Sequence, residues 1–170
     1  MVIIRGTREL LDRLKLAPAE PVVASTTRLG DWYFAILRVG QRQHLLGVSE
    51  HTRLPVVLPA RDATRLATVL PDAVRRMLAA LGVASADIDT ECNEMGASAW
   101  APTRSRSLLG TLNDFAFAAR EHLRQEPDVE LDTVALGLAE MPILTPFRGA
   151  SASDETRRTL GSTQRRGLFR

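Results

Sequence analysis

The chain has one cysteine, Cys92, so no internal disulfide can close and no thiolate metal site can be built. Cys92 is also a poor nucleophile, because Glu91 and Glu94 surround it with negative charge that raises a thiol's pKa. Histidine is nearly as scarce. His44, His51 and His122 fall on separate segments with no His-x-x-x-His pair, so no metal site is predicted. There is no Gly-x-Ser-x-Gly elbow, no Gly-x-x-x-x-Gly-Lys phosphate loop and no Gly-x-Gly-x-x-Gly fingerprint. The common hydrolase, nucleotide and dinucleotide sites are thereby excluded, and no cofactor is expected. No apolar run approaches the roughly 20 residues that cross a bilayer, and residues 1–5 carry no secretory h-region. The expectation is a cytoplasmic chain without a membrane.

What is present is an ordinary globular balance, 45% hydrophobic and 25% charged, over a length of 170 residues that supports one domain. The net charge of +2 is unevenly spread. From Arg148 onward six arginines face only Asp154 and Glu155, a balance of +4, which leaves −2 for residues 1–147. The basic character belongs to the tail and does not mark the rest as a nucleic-acid-binding fold. Residues 148–170, rich in Gly, Ser, Thr and Arg and without an apolar period, read as a flexible arginine-rich tail after a globular domain at 1–147.

Apolar periodicity lays out that domain. Val2, Ile3 and Ile4 read as a buried strand, followed by a helix capped by Thr7 with Leu10, Leu11 and Leu14 inward, stopped before Pro18. Residues 22–24 read as the start of a strand or as an extended lead-in. The β-favouring run 31–39, the turn Gly40-Gln41 and strands at 42–49 and 54–58 make an antiparallel meander. From Arg61 the pattern is helical, broken at Leu70 by Pro71, with a second helix at 72–81 ended by Gly82. Residues 85–91 suggest a short, exposed acidic turn, 97–101 a last strand and 131–138 a helix. The fold class is α+β: an antiparallel β-meander sheet with helices packed on one face, in a single domain.

The most informative stretch is 103–125. Leu108, Leu112, Phe115, Ala119 and Leu123 recur every three or four residues, the stripe of a helix of about five turns. Pro102 cannot continue it backward, and Ser107 is the predicted N-cap. At roughly 100° per residue Arg106 and Asn113 share one flank, while Ser107, Thr111 and Asp114 share the other. Two arginines, Arg104 and Arg106, stand where free N–H groups and the macrodipole already favour negative charge. The candidate ligand residues are Arg104, Arg106, Ser107, Asn113 and Asp114, for a phosphate or carboxylate. In the competing structural reading Ser107 only caps, Asp114 pairs with an arginine and Asn113 ties down a loop. Secondary candidates are Trp32, Arg42, His51 and Thr52. Arg28, Arg38, Arg42 and Arg53, with Trp32 and Tyr33, would offer charge and stacking to a single nucleic-acid strand, although strand aromatics more often pack in a core.

With these elements in place the chain resembles a family of small bacterial domains of unknown function, DUF6933. The likeness is carried by the opening strand with Thr7 and the Leu-Leu-x-x-Leu helix, by the tryptophan hairpin from Trp32 to Leu46, and most specifically by Arg106-Ser107-Leu108-Leu109-Gly110-Thr111-Leu112-Asn113-Asp114. It covers about residues 1–147. Pro102 stands where relatives tend to carry a lysine, so Arg104 would take over any anion contact of that lysine. The resemblance implies no reaction, cofactor or partner. The residues themselves point to a non-enzymatic binding or regulatory module with an anion-binding helix N-terminus, its partner an acidic protein patch or a phosphate-bearing ligand. No catalytic residue is assigned. The alternative is an enzyme acting on a phosphate-containing or nucleic-acid substrate, with Arg106 holding the anion and Asp114 or His51 as base.

Overall fold

Trp32, Tyr33 and Phe34 open the strand Trp32–Val39 (β2), and all three are fully buried. Consecutive strand residues point to opposite faces, so both faces of the sheet are covered here. The computed structural model describes residues 1–166, with side chains as far as residue 161. Its sheet has five strands: β1 (Val2–Gly6), β2, β3 (Arg42–Ser49), β4 (Pro55–Pro59) and β5 (Ser98–Pro102), in the order β4-β3-β2-β1-β5.

The β2-β3-β4 meander is antiparallel, as the pattern predicts, with Gly40 at positive φ in the β2–β3 turn. The sheet as a whole is mixed. β1 runs parallel to both β2 and β5, with Arg5 opposite Tyr33 on one side and Ala101 on the other. A parallel neighbour needs a crossover, here provided by α1 (Arg8–Leu14) and the long segment leading to β2. Both faces of the sheet are covered at the start of β2, since Trp32, Tyr33 and Phe34 are all buried. α1 lies on the Gly6 side, where Leu11 packs over Gly6.

Three further expectations are revised. α2 (Leu66–Ala80) runs unbroken through Pro71. An interior proline costs about 3 kcal/mol, but this helix buries Leu66, Leu70, Val74, Met77 and Leu78, whose packing outweighs that cost. Residues 22–24 are irregular and exposed, not a strand. α3 (Ser85–Glu94), α4 (Arg106–Gln125) and α5 (Leu131–Ala139) follow, and the supposed flexible tail forms α6 (Ala152–Arg166). Ala152, Thr156 and Leu160, spaced by four, are fully buried. Thr156 Oγ1 donates to Thr52 Oγ1 at 2.9 Å, and the Arg28 guanidinium reaches the Thr159 and Leu160 carbonyls at 2.5 and 2.7 Å. The flexible-tail expectation for residues 167–170 lies outside the described residues.

Candidate functional site

A charged residue inside an otherwise apolar strand has to be paired, and Arg5 is. It is 1% exposed, and its Nε donates to Asp31 Oδ2 at 2.5 Å. Nη1 donates to Glu20 Oε2 at 3.0 Å and to the Pro102 carbonyl at 2.9 Å, and Nη2 to Glu20 Oε1 at 2.6 Å. The same guanidinium stands 5.9 Å from the centre of the Tyr33 ring. The bidentate bond to Glu20 holds the Arg5 pKa above its ordinary value and pulls the Glu20 carboxyl below its own. Glu20 also accepts from Arg104 Nη1 at 2.9 Å, so one carboxylate bridges two guanidiniums.

These groups border a hollow of about 370 Å³ whose polar wall is Arg5, Glu20, Asp31, Glu50, His51 and Arg104. The segment before β2 is pinned to form it. The Glu50 N–H donates to the Asp31 carbonyl at 2.7 Å and the His51 N–H to the Leu29 carbonyl at 3.0 Å. Gly30 has φ +78°, and a Cβ there would meet Glu50 Oε2 and His51 Nε2 at 2.9 Å, so only glycine lets both side chains line the wall. From behind, Glu91 accepts from the N–H groups of Arg28 and Leu29 at 2.8 and 3.0 Å. Glu91 is buried, which pushes its carboxyl up; the turn expected at 85–91 is helical and exposed at Ser85, Ala86, Asp89 and Thr90, but not at Glu91.

Arg104, just ahead of α4, is the part of the 103–125 stretch that lines this hollow. Ser105, not Ser107, is the N-cap: its Oγ accepts from the Leu108 N–H at 3.3 Å. Ser107 is one position inside the helix, and its Oγ accepts from Arg53 Nη2 at 3.1 Å. Arg53, only 6% exposed and at φ +61°, donates Nη1 to the Glu50 carbonyl at 3.0 Å. Both acceptors are neutral, and burial pulls the Arg53 guanidinium below its ordinary pKa. Arg53 Nε and Tyr33 Oη are buried with no hydrogen-bond partner. The Tyr33 hydroxyl lies beside Arg104 without reaching hydrogen-bond geometry, and burial raises its pKa.

A family model for a domain of unknown function, DUF6933, matches residues 3–155. The chain belongs to the DUF6933 family. The match spans the sheet from the second residue of β1 onward, with Arg5 and the α4 start. No curated protein and no solved structure matches this DUF6933 chain.

Within the DUF6933 domain the sequence candidates separate. Arg104 and His51 line the hollow described above. Ser107 and Asp114 share a second hollow, of about 550 Å³, with Thr111, Phe115 and residues 141–145, as their common helix flank implies. Arg106 and Asn113 face solvent and line neither hollow. The two candidate bases, His51 and Asp114, stand in different hollows. Trp32 is fully buried, and Thr52 is buried with its hydroxyl bonded to Ser49 and Thr156, so neither offers a ligand any surface. Arg42 sits at the far end of the hairpin, donating to the Pro127 carbonyl at 2.7 Å. With Trp32 and Tyr33 both in the core, the hairpin has no stacking platform for a nucleic-acid strand.

Arg5, Glu20, Asp31 and Glu50 were not singled out by sequence reasoning. Arg5 had a signal, a lone charge in a run otherwise fit for burial. Arg53 and Tyr33 stood out only as hairpin residues. Among the described residues no group of three or more His, Cys, Asp or Glu is placed to hold a metal ion, and no helix is long and apolar enough to cross a membrane. Cys92 is buried, and burial first, then the acidic residues Glu91, Asp89 and Asp72, push its thiol up.

Proposed function

We propose that this chain is a non-enzymatic binding module that recognises a negatively charged group, a phosphate or a carboxylate, beside the start of α4. The observation that carries the reading is the position of Arg104. It is more than half exposed, stands two residues before the first helical residue, and lines the wall of a hollow that Arg5 also lines. Glu20 supports it by example, since a carboxylate from the protein's own loop already sits between those two guanidiniums. An incoming anion would compete with Glu20 for Arg104 while Arg5 stays anchored by Asp31. A volume of about 370 Å³ falls at the lower end of the roughly 300–1,000 Å³ of small-molecule sites.

The test is an NMR titration of the ¹⁵N-labelled chain with inorganic phosphate at low salt. Amide shifts concentrated at Arg104–Leu108 and at Glu50 and His51, abolished in Arg104→Ala, are expected. Shifts scattered over surface arginines, or none, would remove the reading.

A further inference from the structure

Charge does not balance in the hollow that Arg104 lines. Its wall carries two guanidiniums, Arg5 and Arg104, against three carboxylates, Glu20, Asp31 and Glu50. Arg5 pairs with Asp31 and Glu20, and Arg104 with Glu20, so the ion pairs close without Glu50. Glu50 Oε2 accepts from the Asp31 N–H at 3.2 Å, and among the described residues the only basic side chain in ion-pair range of it is the His51 ring, at 3.8 Å. Arg53, which does not line the hollow, feels the Glu50 charge through space but gives its bonded donors to the Glu50 backbone carbonyl and to Ser107 Oγ. His51 Nδ1 stands 2.9 Å from the Arg28 carbonyl, which can only accept, so Nδ1 carries the proton and in the neutral ring Nε2 offers its lone pair. His51 Nε2 and Glu50 Oε2 are then two acceptors 3.8 Å apart with no proton shared between them, and both stand 2.9 Å from the point a Gly30 Cβ would take. One ammonium group can donate to both.

We infer that the ligand of this hollow is a small zwitterion, an amine joined by a short chain to an oxyanion: Arg104 takes the oxyanion, and Glu50 Oε2 with His51 Nε2 takes the ammonium. This rests on the reading above and names its ligand class. An anion alone adds negative charge to a hollow that already holds one carboxylate in excess. A zwitterion adds none, and it supplies Glu50 with the cation it lacks. Between the charges lies apolar chain, and the hollow matches that too. Pro21, Val22 and Val23 line it, and the two valines are exposed, so methylenes laid against them leave water together with the valine side chains. A volume of about 370 Å³ takes such a molecule whole.

Isothermal titration calorimetry of the full chain at neutral pH tests this with matched probes: propionate against 3-aminopropionate and 4-aminobutyrate, and ethyl phosphate against 2-aminoethyl phosphate. At least one zwitterion should bind about tenfold or more tighter than its amine-free partner, the gain of one charge-assisted hydrogen bond. Glu50→Gln should erase that gain without weakening propionate or ethyl phosphate, because removing a negative charge does not harm an anion, whereas damage to the fold would weaken every probe. Arg104→Ala should weaken every probe that carries an oxyanion. A gain with the amino carboxylates assigns a carboxylate-bearing ligand, and a gain with 2-aminoethyl phosphate alone a phosphate ester. Zwitterions bound no tighter than their amine-free partners, or a gain that survives Glu50→Gln, would overturn the zwitterion and leave the anion reading standing. No binding of any oxyanion by the unmodified chain would overturn both. Should Glu50→Gln fail to fold, His51→Asn decides by the same comparison, since it keeps a donor for the Arg28 carbonyl and deletes the Nε2 acceptor.

Discussion

At the residue scale the molecule treats its arginines in three ways. Arg5 is buried and satisfied, Arg53 is buried with neutral acceptors only, and Arg104 is exposed beside a hollow. Removing each should have a different consequence. Arg5→Ala leaves Asp31 buried without its cation, a change that typically costs about 3–5 kcal/mol, and chemical denaturation should show a loss of that size. Arg104→Ala breaks an exposed pair worth at most about 1 kcal/mol, so stability should hold while anion binding goes. Gly30→Ala combines a left-handed backbone with a Cβ 2.9 Å from Glu50 and His51, so it should lower stability by about 1–3 kcal/mol and distort the hollow. A binding isotherm on that variant indistinguishable from the parent's would argue that the Glu50–His51 wall is not part of the pocket.

At the scale of elements, α4 and α6 are the informative pair. Ser105→Ala removes the α4 cap and should cost about 1 kcal/mol, whereas Ser107→Ala should spare the helix and instead strip an acceptor from Arg53. Equal helix destabilisation by the two would contradict the assigned cap. Leu160→Ala empties a fully buried position on α6 and should cost about 2–5 kcal/mol by thermal unfolding, where a flexible tail would lose nothing. The α4 stripe was legible because five large apolar residues at helical spacing admit one reading. Its cap was not, because Ser-Arg-Ser offers two equivalent hydroxyls and Arg53, distant in sequence, claims one of them. α6 was hidden by composition: it docks through Ala152, Thr156 and Leu160, a stripe too small and too polar to stand out among arginines. The β2-β3-β4 meander was legible from its short turns, but the parallel pairing of β1 leaves no local mark, since its partners β2 and β5 lie far along the chain.

At the scale of the whole molecule, pH acts on Glu91 and Glu20 with opposite signs. Burial raises Glu91 above its ordinary value of about 4.5, so its contribution to stability is fully present below that value and is lost as pH rises through the folded pKa. Arg5 lowers Glu20, so its contribution is present above about 4.5 and is lost as pH falls through its folded pKa. Against Glu91→Gln, the parent's relative stability should decline with rising pH. Against Glu20→Gln it should decline with falling pH. Parallel unfolding profiles for parent and variant would contradict either assignment. The site itself joins β1, the Glu20 loop, the segment before β2, the β3–β4 loop and Arg104 ahead of α4, which is why the sequence window 103–125 shows only Arg104 of it. The measurement closest to the central claim is a crystal structure of the chain soaked in arsenate, a tetrahedral dianion located by its anomalous signal. The account predicts an arsenate within about 3 Å of Arg104, with Glu20 displaced from it. Arsenate bound only at exposed arginines elsewhere, with the Glu20–Arg104 pair intact, would contradict it.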